Sequence, residues 1–90
     1  MTNYKSNLPL KYTSLADTNQ YAGVYTCLTL TEGNAVIWKQ RDGLYLLEMT
    51  GAYVFRELGV TLHTEITDDL EYAKYRIETI IPHTLTLAKA

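Results

Sequence analysis

Ala35-Val-Ile-Trp-Lys-Gln-Arg41-Asp42-Gly43-Leu44-Tyr-Leu-Leu-Glu-Met49 decides the fold. Two apolar runs rich in strand-forming residues flank Asp42-Gly43. That dipeptide predicts a tight hairpin turn of type I′, in which both central residues take positive φ. Upstream, Tyr21–Leu30 alternates. Val24, Thr26, Leu28 and Leu30 share one face, read as inward. Tyr21, Gly23, Tyr25, Cys27 and Thr29 share the other. Glu32-Gly33-Asn34 marks the turn between this segment and Ala35. The three segments predict an antiparallel meander.

Downstream, Ala52–Phe55 favours strand by composition. Yet Thr50 is a capping residue, and Leu58-Gly59-Val60 fits a helix ending at a left-handed glycine. A short helix over 51–58 is the expectation. Val60, Leu62, Thr64 and Ile66 then alternate with Thr61, His63 and Glu65, the second set read as a solvated face. The clearest helix follows. Asp68 is its expected cap, with Glu71 three positions on in a capping-box arrangement, and Pro82 ends it. Leu70, Ala73, Ile77, Ile80 and Ile81 form one stripe at about 100° per residue. His83–Leu87 carries a last strand-like alternation. Residues 1–20 lack a sustained period and read as an arm, with a helical turn over 14–20. Residues 21–90 read as one domain. The fold class is therefore α+β: an antiparallel sheet of four or five strands, one main C-terminal helix on one face, and a second short helix at 51–58.

Composition bounds the function. The chain has 90 residues, 47% of them apolar and 20% charged, with net charge -2. That is one globular domain. The charge is uneven: residues 1–45 carry four basic and three acidic side chains, residues 46–90 four basic and seven acidic. Neither half has the basic cluster that neutralises phosphates, so direct nucleic-acid binding is disfavoured. The longest apolar runs are four residues, far below the roughly 20 of a membrane span. A single cysteine, Cys27, allows no internal disulfide, and no apolar leader is visible, so a cytoplasmic location is expected.

Three sets of residues have chemical potential. His63, Glu65, Asp68, Asp69 and Glu71 form an acidic run able to attract a hard cation. The calcium-loop spacing and the cysteine half of the zinc-deaminase signature are both missing. The plainer reading is a capped helix start, so neither a metal nor another cofactor is expected. Cys27 with His63 or His83 as base has no supporting motif, and none of the five glycines forms a phosphate-binding loop. No enzymatic activity is expected. The third set is tyrosine, eight of the ten aromatic residues. Tyr72 and Tyr75, with Arg76 and Thr79, lie opposite the apolar stripe of the last helix. Tyr21 and Tyr25 lie opposite Val24. Tyrosine and arginine are favoured interface residues, which makes these six the candidate partner contacts, with Glu65, Asp68, Asp69 and Glu71 as an acidic surface beside them.

The leading expectation is a non-enzymatic protein-binding module that regulates or inhibits a larger partner. Its most specific form is a phage-type, anti-CRISPR-like inhibitor of a host nucleic-acid enzyme, whose basic groove the acidic half would occupy. That form rests on size and charge, not on a residue motif. The alternatives are a structural homo-oligomer, most simply a homodimer, and a divalent-metal or small-molecule-binding domain.

Overall fold

The computed structural model describes residues 6, 8–16, 20–27 and 33–81. Five strands and two helices follow in the order β1 (Leu10–Ser14), β2 (Tyr21–Cys27), β3 (Asn34–Gln40), β4 (Tyr45–Thr50), α1 (Ala52–Leu58), β5 (Leu62–Thr67) and α2 (Leu70–Ile80). The strands form one antiparallel sheet in the order β1-β2-β3-β4-β5. The protein is thus α+β, a meander sheet with both helices packed on it. The first edge strand comes from Leu10–Ser14, within the segment read as an arm. Ser14 lies in β1 rather than a helical turn, while residues 17–19, Leu28, Leu30 and His83–Leu87 lie outside the described residues.

The central hairpin forms at the expected place with a different turn. Gly43 N–H donates to Gln40 O at 3.3 Å, and Gln40 N–H donates to Leu44 O at 2.8 Å. Among the described residues only glycines have positive φ, with Gly43 at +92°. Asp42 therefore keeps negative φ, which rules out type I′. Its Oδ1 instead accepts from Leu44 N–H at 3.0 Å. The loop spans three residues and places its left-handed position at glycine, where no Cβ opposes it.

The short helix expected over 51–58 is α1. It ends at Gly59 in the left-handed conformation, with the Gly59 N–H on Phe55 O at 2.8 Å. The cap of α2 is Asp69, not Asp68. Asp69 Oδ1 accepts from the N–H groups of Glu71 and Tyr72 at 3.0 and 3.4 Å. Asp69 also has the extended backbone that a cap needs, φ -122° and ψ 108°. The capping box does not close, because Glu71 points elsewhere. Its Oε1 accepts from Ser6 N–H at 3.2 Å and its Oε2 from Lys74 at 3.3 Å. Ile81, extended as a residue before proline should be, ends the helix.

The core lies between the helices and one face of the sheet. Ala73, Ile77, Ile80 and Ile81 meet Ala35, Ile37, Leu47, Met49, Val54 and Leu8, all buried. The stripe expected on α2 is the one that packs, with Leu70 at its margin. Each fully buried aliphatic side chain stabilises the fold by about 1.5–3 kcal/mol, so this interface holds α2 in place.

Two strands face opposite to expectation. On β2, Tyr25 and Cys27 turn toward the core while Val24 and Thr26 turn away. The register with β3 explains this, since Tyr25 pairs with the fully buried Ile37 and Val24 with Trp38. On β5, His63 and Glu65 lie on the helix-covered side. Leu62 and Ile66 are 51% and 62% exposed on the other. Glu65 pairs with the buried Leu47 and must share its face. A polar set is tolerated there because α2 supplies partners for it.

Candidate functional site: the helix-free face of the sheet

Alternation on the five strands divides the sheet into two faces. One carries the helices. The other carries none among the described residues, and strand register aligns its side chains in rows. One row runs Thr13, Val24, Trp38, Leu46, Ile66 from β1 to β5, each residue directly paired with the next. The adjacent row runs Lys11, Thr26, Val36, Glu48, Thr64. Beyond it lie Asn34, Thr50 and Leu62. At strand spacing, the four apolar residues from Val24 to Ile66 span about 15 Å.

Trp38 is the centre of this surface. Its indole N–H donates to Glu48 Oε1 at 2.7 Å, which satisfies its one polar atom and fixes the ring. The Tyr21 ring lies against it, centroids 5.1 Å apart and tilted by 39°. Tyr21 reaches this face through an irregularity in β2. The register shifts between Tyr21 and Gly23, so Tyr21 pairs with Gln40 while Gly23 pairs with Lys39. The extra residue reverses the alternation and puts Tyr21 on the side of Val24. Simple alternation places Tyr21 opposite Val24, and the bulge corrects that expectation. Toward Leu62 the face holds a shallow depression of about 160 Å³, lined by Asn34, Ala35, Val36, Glu48, Thr50 and Leu62.

The other tyrosine candidates lie on the helical side. Tyr25 is half-buried between Tyr12 and Tyr45, with centroids at 4.7 and 6.5 Å. Burial pushes its phenol pKa up; Tyr45 and Tyr12 push the same way, while Lys39 opposes them. Tyr72 is half-buried, and its hydroxyl donates to Glu65 Oε1 at 3.2 Å. Arg76 donates from Nε to Glu65 Oε2 at 2.9 Å. Tyr75 is 39% exposed, and the exposed Thr79 donates its hydroxyl back to Arg76 O at 2.9 Å. The proposed group is therefore divided. Tyr75 and Thr79 face outward, Tyr72 and Arg76 clasp β5, Tyr21 joins the Trp38 surface, and Tyr25 packs at the core margin.

The acidic set is occupied within the fold. His63 Nε2 donates to Glu65 Oε2 at 2.7 Å, so this carboxylate accepts from three side chains. Burial alone would push the Glu65 carboxyl up. The hydrogen bonds from His63 and Arg76, the Arg76 charge and the Tyr72 hydroxyl outweigh burial and hold it below its ordinary value. A general base poised near neutrality needs the opposite shift. Asp69 caps α2, Glu71 binds Ser6 and Lys74, and Asp68 is exposed. Among the described residues no three His, Cys, Asp or Glu side chains come together as metal ligands. Burial pushes the Cys27 thiol up to about 11, which keeps it protonated at neutral pH and unsuited to nucleophilic attack.

The pairing of Trp38 with Val24 and Leu46 was beyond sequence reading. The alternating Leu62 and Ile66, opposite the His63 and Glu65 face expected to meet solvent, are its visible signal in the sequence. Among the described residues no helix is long and apolar enough to cross a membrane. No protein-family model, curated protein or solved structure matches the chain.

Proposed function

We propose that this protein is a non-enzymatic protein-binding module that regulates or inhibits a larger partner, and that its contact surface is the helix-free face of the sheet. The observation that carries the reading is the registered row Val24–Trp38–Leu46–Ile66, which ends in an isoleucine 62% exposed. Val24, Trp38 and Leu46 are half-buried and Ile66 is exposed, and a contiguous apolar row left open by the helices is characteristic of binding sites. Trp38 and Tyr21 add the aromatic anchors common at binding hot spots, and the threonines around them supply a polar rim.

An inhibitor of a host nucleic-acid enzyme is one form of this proposal. It would act by apolar contact rather than by imitating a polyanion, since Glu65, Asp69 and Glu71 already serve internal partners. The test is a pull-down from host lysate that compares the wild type with Leu62→Glu/Ile66→Glu. Both positions are more than half exposed, so the variant should fold, which circular dichroism checks. A specific partner retained by the wild type and lost by the variant is the expected outcome. Equal recovery by a folded variant would refute the sheet face as the contact. Tyr75→Ala is the parallel variant for the outer face of α2.

A further inference from the structure

Resting on that reading, we propose that in the isolated protein the helix-free face is occupied by a second copy of the chain, packed face to face about a twofold axis that runs parallel to the strands, above β3 and midway between the two sheets. The ground is the order of residues within the two rows. An axis above the middle strand of five places β1 over the partner's β5, β2 over its β4, and β3 over its β3. Position along the strands is preserved. In the apolar row, Trp38 then meets its own copy, Leu46 meets Val24, and Ile66 meets Thr13. The row thereby covers itself, and the most exposed end, Ile66, gains a lid from the small β-branched residue at the other end.

The adjacent row selects the same symmetry by charge. Its charged members are Lys11 on β1 and Glu48 on β4. The twofold operation sets Lys11 over Thr64 of the second copy, next to that copy's Glu48, twice per dimer. A twofold axis running across the strands along this row would instead keep each strand over its own copy and set Lys11 over Lys11 and Glu48 over Glu48. Opposite charges meet in the first arrangement and like charges in the second, so the row favours the first over the second. A carboxylate accepts several hydrogen bonds, and the one from Trp38 does not exhaust Glu48. The product is a β-sandwich of two five-stranded sheets about 10 Å apart, each with its helices outside.

Sedimentation equilibrium of the wild-type chain at ~100 μM tests this, a concentration that populates a dimer of micromolar affinity. A mass of twice 10.3 kDa is expected. Ile66→Arg should give a folded monomer. Lys11→Glu should weaken dimerisation roughly ten-fold by setting two carboxylates together, and Lys11→Glu/Glu48→Lys should restore it. A wild-type monomer overturns the inference, and so does a dimer unmoved by Ile66→Arg. A dimer broken by Ile66→Arg but indifferent to Lys11→Glu overturns the proposed axis. Failure here is distinct from failure of the proposed function. A monomer that still loses its partner with Leu62→Glu/Ile66→Glu leaves the face to a heterologous protein. A dimer with no dependence of partner recovery on these residues removes the partner reading instead.

Discussion

Glu65 makes the tightest demand on the fold at the level of single residues. Its side chain is 19% exposed and accepts from His63, Tyr72 and Arg76, two of which lie on α2. Replacing it by alanine leaves the half-buried Arg76 and Tyr72 without this acceptor. Hydrogen bonds to charged groups are worth about 1.5–3 kcal/mol, so Glu65→Ala should lose about 2 kcal/mol in urea denaturation at pH 7. The pH dependence has a definite sign. The folded carboxyl titrates below its ordinary 4.5, so the unfolded chain binds the proton more tightly. The stabilisation is complete above that value and disappears as pH falls through the folded pKa. The stability gap between wild type and Glu65→Ala should therefore narrow in acid, and a gap constant from pH 7 to pH 2 would show that the charge contributes nothing.

Elements show how local signals and long-range register divide the work. The capping of α2 is local, and the two candidate aspartates can be separated. Asp69→Ala should cost about 1 kcal/mol, as loss of a cap with two N–H partners does, whereas Asp68→Ala, exposed and outside the helix, should stay within about 0.5 kcal/mol. Equal effects in thermal unfolding would contradict the assignment. The extents of β2, β3, β4 and α2, and the packed stripe on α2, follow from nearest-neighbour patterns that the sequence displays openly. The inward faces of β2 and β5 do not. Both strands are amphipathic in a way that admits either orientation, and the choice is made across the sheet by Ile37 and Leu47. The bulge that turns Tyr21 onto Trp38 has no composition signal in Tyr21-Ala22-Gly23 beyond the glycine. The apolar row was therefore hidden in the sequence even though Val24, Trp38, Leu46 and Ile66 each lie in a predicted strand.

For the whole molecule, the central fact is one-sidedness. Both helices and the buried cluster lie on one side of the sheet, and the opposite side presents Trp38, Leu46 and Ile66. A partner or another copy on the open face would add a third layer to the helices and sheet that already enclose the core. The order β1-β2-β3-β4-β5 has a further, kinetic consequence. Each strand pairs only with its neighbours along the chain, so no pairing waits for a distant segment to diffuse into place. The three-residue loop between β3 and β4 costs little entropy to close, which makes that hairpin the expected starting point from which the remaining strands add outward. The main phase of stopped-flow refolding should take about milliseconds to tens of milliseconds, toward the fast end for a sheet of this size. A main phase of seconds would contradict this local order of assembly. On a chain that assembles this quickly the open face is complete as soon as the sheet is, so a partner or a second copy would meet it already formed.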